Sequence, residues 1–188
     1  GTATGYRLYQ AAPGGSTIDV SNEADYCFNV KASYIIIRGV NCKGARIHGI
    51  NLAPDVHDVV IEGNDIRKWG RERTPPTGNR GYGVYRDSGI KAVGGLTKRI
   101  VIQRNKIHHP RYDSNNWSEH EADGPETSHP QGPQGIDFKD TGGNHVIRYN
   151  EFYSDQDHYF TDCIGGQTNY SDRGNLMRDS DVYGNSIQ

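Results

Sequence analysis

No stretch of this chain approaches the roughly 20 consecutive apolar residues that a membrane-crossing helix needs. None sustains the 3.6-residue apolar period of an amphipathic helix either. Apolar residues are scarce at 33%, mean hydropathy is −0.83 and there is a single Met. A globular domain carries nearly half apolar residues, so a broad core is excluded. The net charge of −2 removes the electrostatic case for nucleic acid or an anionic membrane as partner. Cysteine is limited to Cys27, Cys42 and Cys163, whose spacing matches no zinc site. Two readings stay open: Cys27 pairs with Cys42 and leaves Cys163 single, or all three are small buried thiols. What the chain does have is 24 Gly, 12 Tyr and recurring short Val/Ile-rich runs. Those runs, with aromatics at 10%, argue against disorder and for a narrow core built from short strands.

Self-similarity organises the runs. Ile61–Ile66 (IEGNDI), Ile102–Ile107 (IQRNKI), Ile147–Phe152 (IRYNEF) and Val182–Ile187 (VYGNSI) each set apolar residues around an Asn, and Ile37–Cys42 (IRGVNC) fits with Val40 in the Asn place. Asn forms turns and tolerates the left-handed conformation, so stacked copies predict an Asn ladder. A second motif precedes the later copies: Gly49–Leu52 (GINL), Gly89–Ala92 (GIKA), Gly135–Phe138 (GIDF) and, more loosely, Cys163–Gly166 (CIGG). These read as short strands with alternate residues inward. Successive ladder positions are 24, 41, 45 and 35 residues apart. The shortest spacing is one bare coil and the excess is loop.

The pattern predicts an all-β, right-handed parallel β-helix over residues 1–188, a single solenoid domain of about four to five coils with long loop insertions. An antiparallel sandwich would want hairpin turns every 8–12 residues, which the Asn spacing does not supply. The chain stops just after an Asn motif without a polar cap, so further C-terminal coils are expected. Residues 68–88 carry Arg71, Arg73, Arg80 and Arg86, and residues 108–133 are rich in His, Pro and acidic residues. Loops projecting from one side of a solenoid commonly form its binding face.

These Asn-ladder coils, the Gly135–Lys139 strand (GIDFK) and the Asp179–Asn185 tail (DSDVYGN) resemble bacterial right-handed parallel β-helix repeat proteins of the pectate-lyase-like superfamily. The likeness spans nearly all of the chain and implies the fold, with a polysaccharide as partner and an extracellular or cell-surface location. Two catalytic types within that superfamily imply different residues. The chondroitinase B and alginate lyase type places a Lys base on a strand ahead of an Asn turn, where Lys139 stands, and often binds calcium through acidic residues nearby. It also uses an Arg one coil later, and this chain has none around Phe160. The polygalacturonase type carries an Asp cluster, which Thr161-Asp162-Cys163-Ile164 resembles with Thr161 in place of one Asp and Gln134 in place of another. The resemblance therefore favours a lyase over a hydrolase, acting on an acidic glycan by β-elimination. A non-catalytic module for glycan binding or surface assembly is the alternative.

Strand alternation places candidate residues without reference to any family. With Ile50, Leu52, Ile90, Ala92, Ile136, Phe138 and Ile164 inward, the outward columns are His48, Ser88, Gln134 and Asp162; Asn51, Lys91, Asp137 and Gly165; and Ala53, Val93, Lys139 and Gln167. Rungs lie about 4.8 Å apart, so Lys91, Asp137, Lys139 and Asp162 share a patch the size of one or two sugar rings. In the functional reading Lys139 is a general base assisted by Lys91, and Asp137 and Asp162 hold calcium. Gln134, Arg80, Arg86, His158 and Tyr159 then contact substrate, the arginines as carboxylate clamps. The plain alternative is a surface ladder of Lys–Asp ion pairs. His108, His109, His120 and His129 with Glu119, Glu121 and Asp123 match no metal motif and read as a solvated loop. Asp155, Asp157, Asp179 and Asp181 read as turn formers or calcium ligands. Trp69, Trp117, Tyr153 and Tyr170 are sugar-stacking candidates.

Overall fold

The computed structural model describes residues 1–71, 86–111, 132–155, 158, 160–167 and 177–188. Seventeen strands occur along it: β1 Arg7–Gln10, β2 Ser16–Asp19, β3 Tyr26–Val30, β4 Ile35–Arg38, β5 Val40–Lys43, β6 His48–Leu52, β7 His57–Glu62, β8 Asp65–Arg67, β9 Ser88–Val93, β10 Lys98–Gln103, β11 Lys106–His108, β12 Gln134–Lys139, β13 Val146–Arg148, β14 Glu151–Tyr153, β15 Asp162–Gln167, β16 Asp181–Tyr183 and β17 Ser186–Ile187. Every named strand pair is parallel. Sheet one stacks β3-β6-β9-β12-β15, sheet two β1-β4-β7-β10-β13-β16 and sheet three β2-β5-β8-β11-β14-β17. The chain visits sheets one, two and three in turn. It is a right-handed parallel β-helix, the hand that parallel crossovers adopt. Among the described residues no helix is long and apolar enough to cross a membrane.

The low apolar content follows from this shape. Each coil contributes only a few inward residues: Ile50, Leu52, Val59, Ile61 and Ile66 in one, Ile90, Ala92, Ile100, Ile102 and Ile107 in the next, Ile136, Phe138, Ile147 and Phe152 in the one after. All are essentially buried, and each is Cα-paired with its counterpart one coil away. Identical positions therefore stack into continuous apolar columns. Cys27 of β3 and Cys42 of β5 form a disulfide across the interior, and Cys163 is free.

Between sheets two and three the Asn ladder closes each coil. Asn64, Asn105, Asn150 and Asn185 accept through Oδ1 from the backbone N–H of residues 40, 64, 105 and 150, at 2.9–3.0 Å. Each Nδ2 donates to a carbonyl of the preceding coil: Ile37, Ile61, Ile102 and Ile147 respectively. The left-handed residue is the one before the Asn, contrary to the sequence expectation. Gly39, Gly63, Arg104, Tyr149 and Gly184 have φ between +54° and +68°. The Asn is kept for its amide, and the turn strain is carried by its neighbour. Arg104 and Tyr149 hold that conformation with a Cβ, where the ladder bonds on both sides over-determine it.

Candidate functional site

Sheet one departs from strict alternation, and the departure builds the outward face. A Cβ on Gly49 would stand 2.6 Å from Ile66 Cγ2; on Gly89, 2.9 Å from Ile107 Cγ2; on Gly135, 2.8 Å from the Phe152 ring. These glycines face the core, and so do the isoleucines that follow them. Two consecutive inward positions let residues three apart, Gln134 and Asp137, share the outer face. The strand registers align Asn29, Asn51, Lys91, Asp137 and Gly165 across five coils, with Ser88, Gln134 and Asp162 in the column before and Val93, Lys139 and Gln167 in the column after. The columns read from sequence hold.

Outward does not mean exposed here. Asp137 and Gln134 are fully buried and Lys91 is 6% exposed, which sets the site apart from a solvated ladder of ion pairs. Lys91 Nζ donates to Asp137 Oδ2 from the neighbouring strand, and Arg86 Nε stands 3.5 Å from that same oxygen. Burial disfavours the Lys91 ammonium; Asp137 opposes that effect, while the charges of Arg86 and Lys139 add to it, and the balance lowers its pKa. Lys139, half-buried at the rim, has no ion-pair partner among the described residues. One carboxylate thus faces two cationic side chains, Lys91 and Arg86, and the charge of Lys139 acts on Lys91.

His48 closes the N-terminal side. Its Nδ1 accepts the Ser88 backbone N–H at 3.0 Å and its ring stacks on Tyr26 at 5.8 Å. Burial, then the charges of Lys91 and Arg71, hold its pKa down to about 3. The ring is therefore neutral at physiological pH, with the proton on Nε2. Arg71 is bound by Asp87, donating from NH2 to Oδ1 at 2.7 Å while its backbone N–H donates to Oδ2 at 2.7 Å.

On the C-terminal side Gln134 Nε2 donates to Asp162 Oδ2 at 2.9 Å. Asp162 is exposed. The Gln134 amide fits over Gly165, the Cα partner of Asp137: a Cβ there would lie 3.2 Å from Gln134 Nε2. Three buried polar atoms on these residues have no hydrogen-bond partner among the described residues: Gln134 Oε1, Asp137 Oδ1 and Arg86 Nε.

Lys91, Lys139, Asp137, Gln134, Asp162 and Arg86 are thus gathered on one face. Arg80 and Tyr159 lie outside the described residues, as do Arg73, Trp117, His120, His129, Glu119, Glu121, Asp123, Asp157 and Tyr170. His158 belongs to another group at the end of sheet three. It contacts Asp155 Oδ1 at 2.7 Å, and His109 Nε2 stands 3.5 Å from Asp155 Oδ2. His108 stacks on Tyr153 at 4.5 Å and is buried beside Asp65. The solvated-loop reading of His108 gives way to a buried strand residue. Trp69 is a core residue packed 5.7 Å from Phe160 and unavailable for stacking on a sugar. Calcium, expected on Asp137 and Asp162, takes six to eight oxygens. The two carboxylates lie in different columns, Asp137 already faces two cations, and no group of three His, Cys, Asp or Glu among the described residues is placed to hold a metal. The donor set does not fit calcium.

His48, Arg71 and Asp87 complete the face; Arg71 was one of the four candidate clamp arginines of its loop, whereas His48 and Asp87 were not singled out as site residues from the sequence. His48 was legible as an outward position. The Arg71–Asp87 pair joins residues 16 apart, and no local pattern announces it. Comparison with protein-family models, with curated proteins and with solved structures finds no match.

Proposed function

We propose that the outer face of sheet one binds an acidic polysaccharide and cleaves it by β-elimination, as pectate-lyase-like proteins of the polysaccharide-lyase type do. The observation that carries this reading is the grouping of Lys91 and Arg86 around the buried carboxylate of Asp137, with Lys139 close by on the same strand. Cations in a low-dielectric setting attract a uronate carboxylate strongly and stabilise the negative charge that develops when the proton alpha to it is removed.

In the proposed step Arg86 and Lys91 hold the substrate carboxylate, and Asp137 fixes Lys91 in place. Lys139, at the rim and without an ion-pair partner among the described residues, takes the alpha proton. The electron pair of that C–H bond forms a C=C bond, and the glycosidic C–O bond breaks. The leaving oxygen takes a proton from solvent. His48, neutral with its proton on Nε2, is the further hydrogen-bond donor this reading assigns to the bound sugar. No step passes through calcium. The Cys27–Cys42 disulfide supports an oxidising compartment, extracellular or at the cell surface.

Binding without turnover is the competing reading, favoured by the commitment of Lys91 to Asp137. Ultraviolet absorbance of unsaturated uronate products, followed on alginate, polygalacturonate and glycosaminoglycans, separates the two. Absorbance growth that Lys139→Ala abolishes supports elimination. Binding with no product on any of them supports the module.

A further inference from the structure

We infer that this face selects a sugar carrying two unmodified hydroxyls beside its carboxylate, one donating to Gln134 Oε1 and the other to Asp137 Oδ1. The inference rests on the acidic-glycan reading above and specifies which acidic glycans the site accepts.

Among the described residues both oxygens are acceptors without a donor, and the other half of each group fixes where they point. Gln134 commits Nε2 to Asp162 Oδ2; turning the amide over would set oxygen against oxygen. Asp137 commits Oδ2 to Lys91. Neither group satisfies its second oxygen by rotating. Leaving a buried acceptor unpaired costs about 1–3 kcal/mol, so a ligand that brings donors there is favoured by what the protein lacks.

The neighbourhood narrows the class of donor. An ammonium or metal cation would meet Lys91 and Arg86. A hydroxyl brings a proton without a charge, and its oxygen can in turn accept from Arg86 Nε, the third unpartnered atom. Two neighbouring hydroxyls, each with one proton, therefore answer the two acceptors and the donor. An O-acetyl or O-sulfate ester replaces the proton with further acceptors and turns attraction into repulsion. Sites built to bond a hydroxyl reject analogues lacking it far more strongly than apolar pockets reject a missing methylene.

The test measures binding and does not depend on turnover. The full chain is run in affinity electrophoresis against alginate, polygalacturonate and hyaluronan, each native and chemically O-acetylated. The expected result is retention by at least one native glycan and retention weakened by about tenfold or more when that glycan is acetylated. Gln134→Met brings the two forms within about twofold of each other. Gly165→Ala, which pushes on the Gln134 amide without removing either oxygen, reduces the discrimination in the same direction; it serves if Gln134→Met fails to melt as a folded protein. Equal binding of native and acetylated forms by the wild type, or full discrimination in both folded variants, overturns the inference and leaves the acidic-glycan reading standing. Failure of every native glycan to bind removes both.

Discussion

Lys91 and Asp137 face each other across β9 and β12 in a pair that is almost wholly removed from solvent, with Arg86 beside the same carboxylate oxygen. Removing one member of a buried pair leaves an uncompensated charge and costs about 3–5 kcal/mol. Asp137→Ala is therefore expected to lower the denaturation midpoint sharply. The double variant Lys91→Met/Asp137→Leu is expected to recover much of that loss, because the buried Lys91 charge is then gone and only the partly exposed Arg86 loses a partner. Lys139→Ala, at the rim, changes stability by less than about 0.5 kcal/mol while abolishing cleavage. Urea unfolding of the four proteins separates a positioning pair from an exposed base.

Acid is expected to destabilise the chain well above the range where carboxylates titrate. His48 titrates at about 3 and His145 at about 4, against 6.5 ordinarily. Burial lowers both; for His48 the charges of Lys91 and Arg71 add to it. Folded values below the unfolded value mean that the unfolded chain takes up protons first. Stability is then fully present above pH 6.5 and falls as pH drops toward 4 and 3, by up to ~1.4 kcal/mol per unit for each group. Denaturation midpoints at pH 7, 5.5 and 4 measure the slope. His145→Gln is expected to flatten it, and an unchanged slope would remove His145 from the account.

Asn105 sits mid-ladder. Its Oδ1 accepts from both the backbone N–H and the Nδ2 of Asn64, and its Nδ2 donates to Ile61 O and Asn150 Oδ1. Asn105→Ala leaves several buried groups without partners, at about 1–3 kcal/mol each when unrelieved. The expected fall in midpoint exceeds that of Asn185→Ala, since Asn185 is half-exposed. Equal losses would show that the ladder is not cooperative.

Gly135→Ala places a methyl against Cys163 O and within 2.9 Å of the Phe152 ring. Overpacking of this kind costs about 1–3 kcal/mol. Because Gly135 lies between Gln134 and Ile136, glycan binding is expected to fall along with the midpoint, whereas Gly63→Ala, open at its Cβ but at φ +63°, loses stability alone. Parallel melting and affinity measurements decide it.

The coil plan was legible because each stacked position repeats one chemical requirement: an Asn amide at residues 64, 105, 150 and 185, a β-branched or aromatic side chain beside it. The outward columns were legible for the same reason. Burial of that face was not, since local alternation says which way Asp137 points and nothing about how closely Lys91 and Arg86 pack beside it. Long-range pairs such as Arg71 with Asp87, and Asp65 beside His108, have no periodic signature. The position of the left-handed residue was misread because Asn is a known turn former, whereas here its amide is needed between coils.

The ladder also has a direction. Each Asn Nδ2 from Asn64 to Asn150 donates to the Oδ1 of the following coil's Asn, so the amide dipoles line up head to tail and polarise one another. The interior is thus a vector: a duplicated coil splices into it only in the same orientation, because a reversed one would set donor against donor. Growth or shrinkage of this solenoid by whole turns is compatible with its chemistry, and inversion of a turn is not.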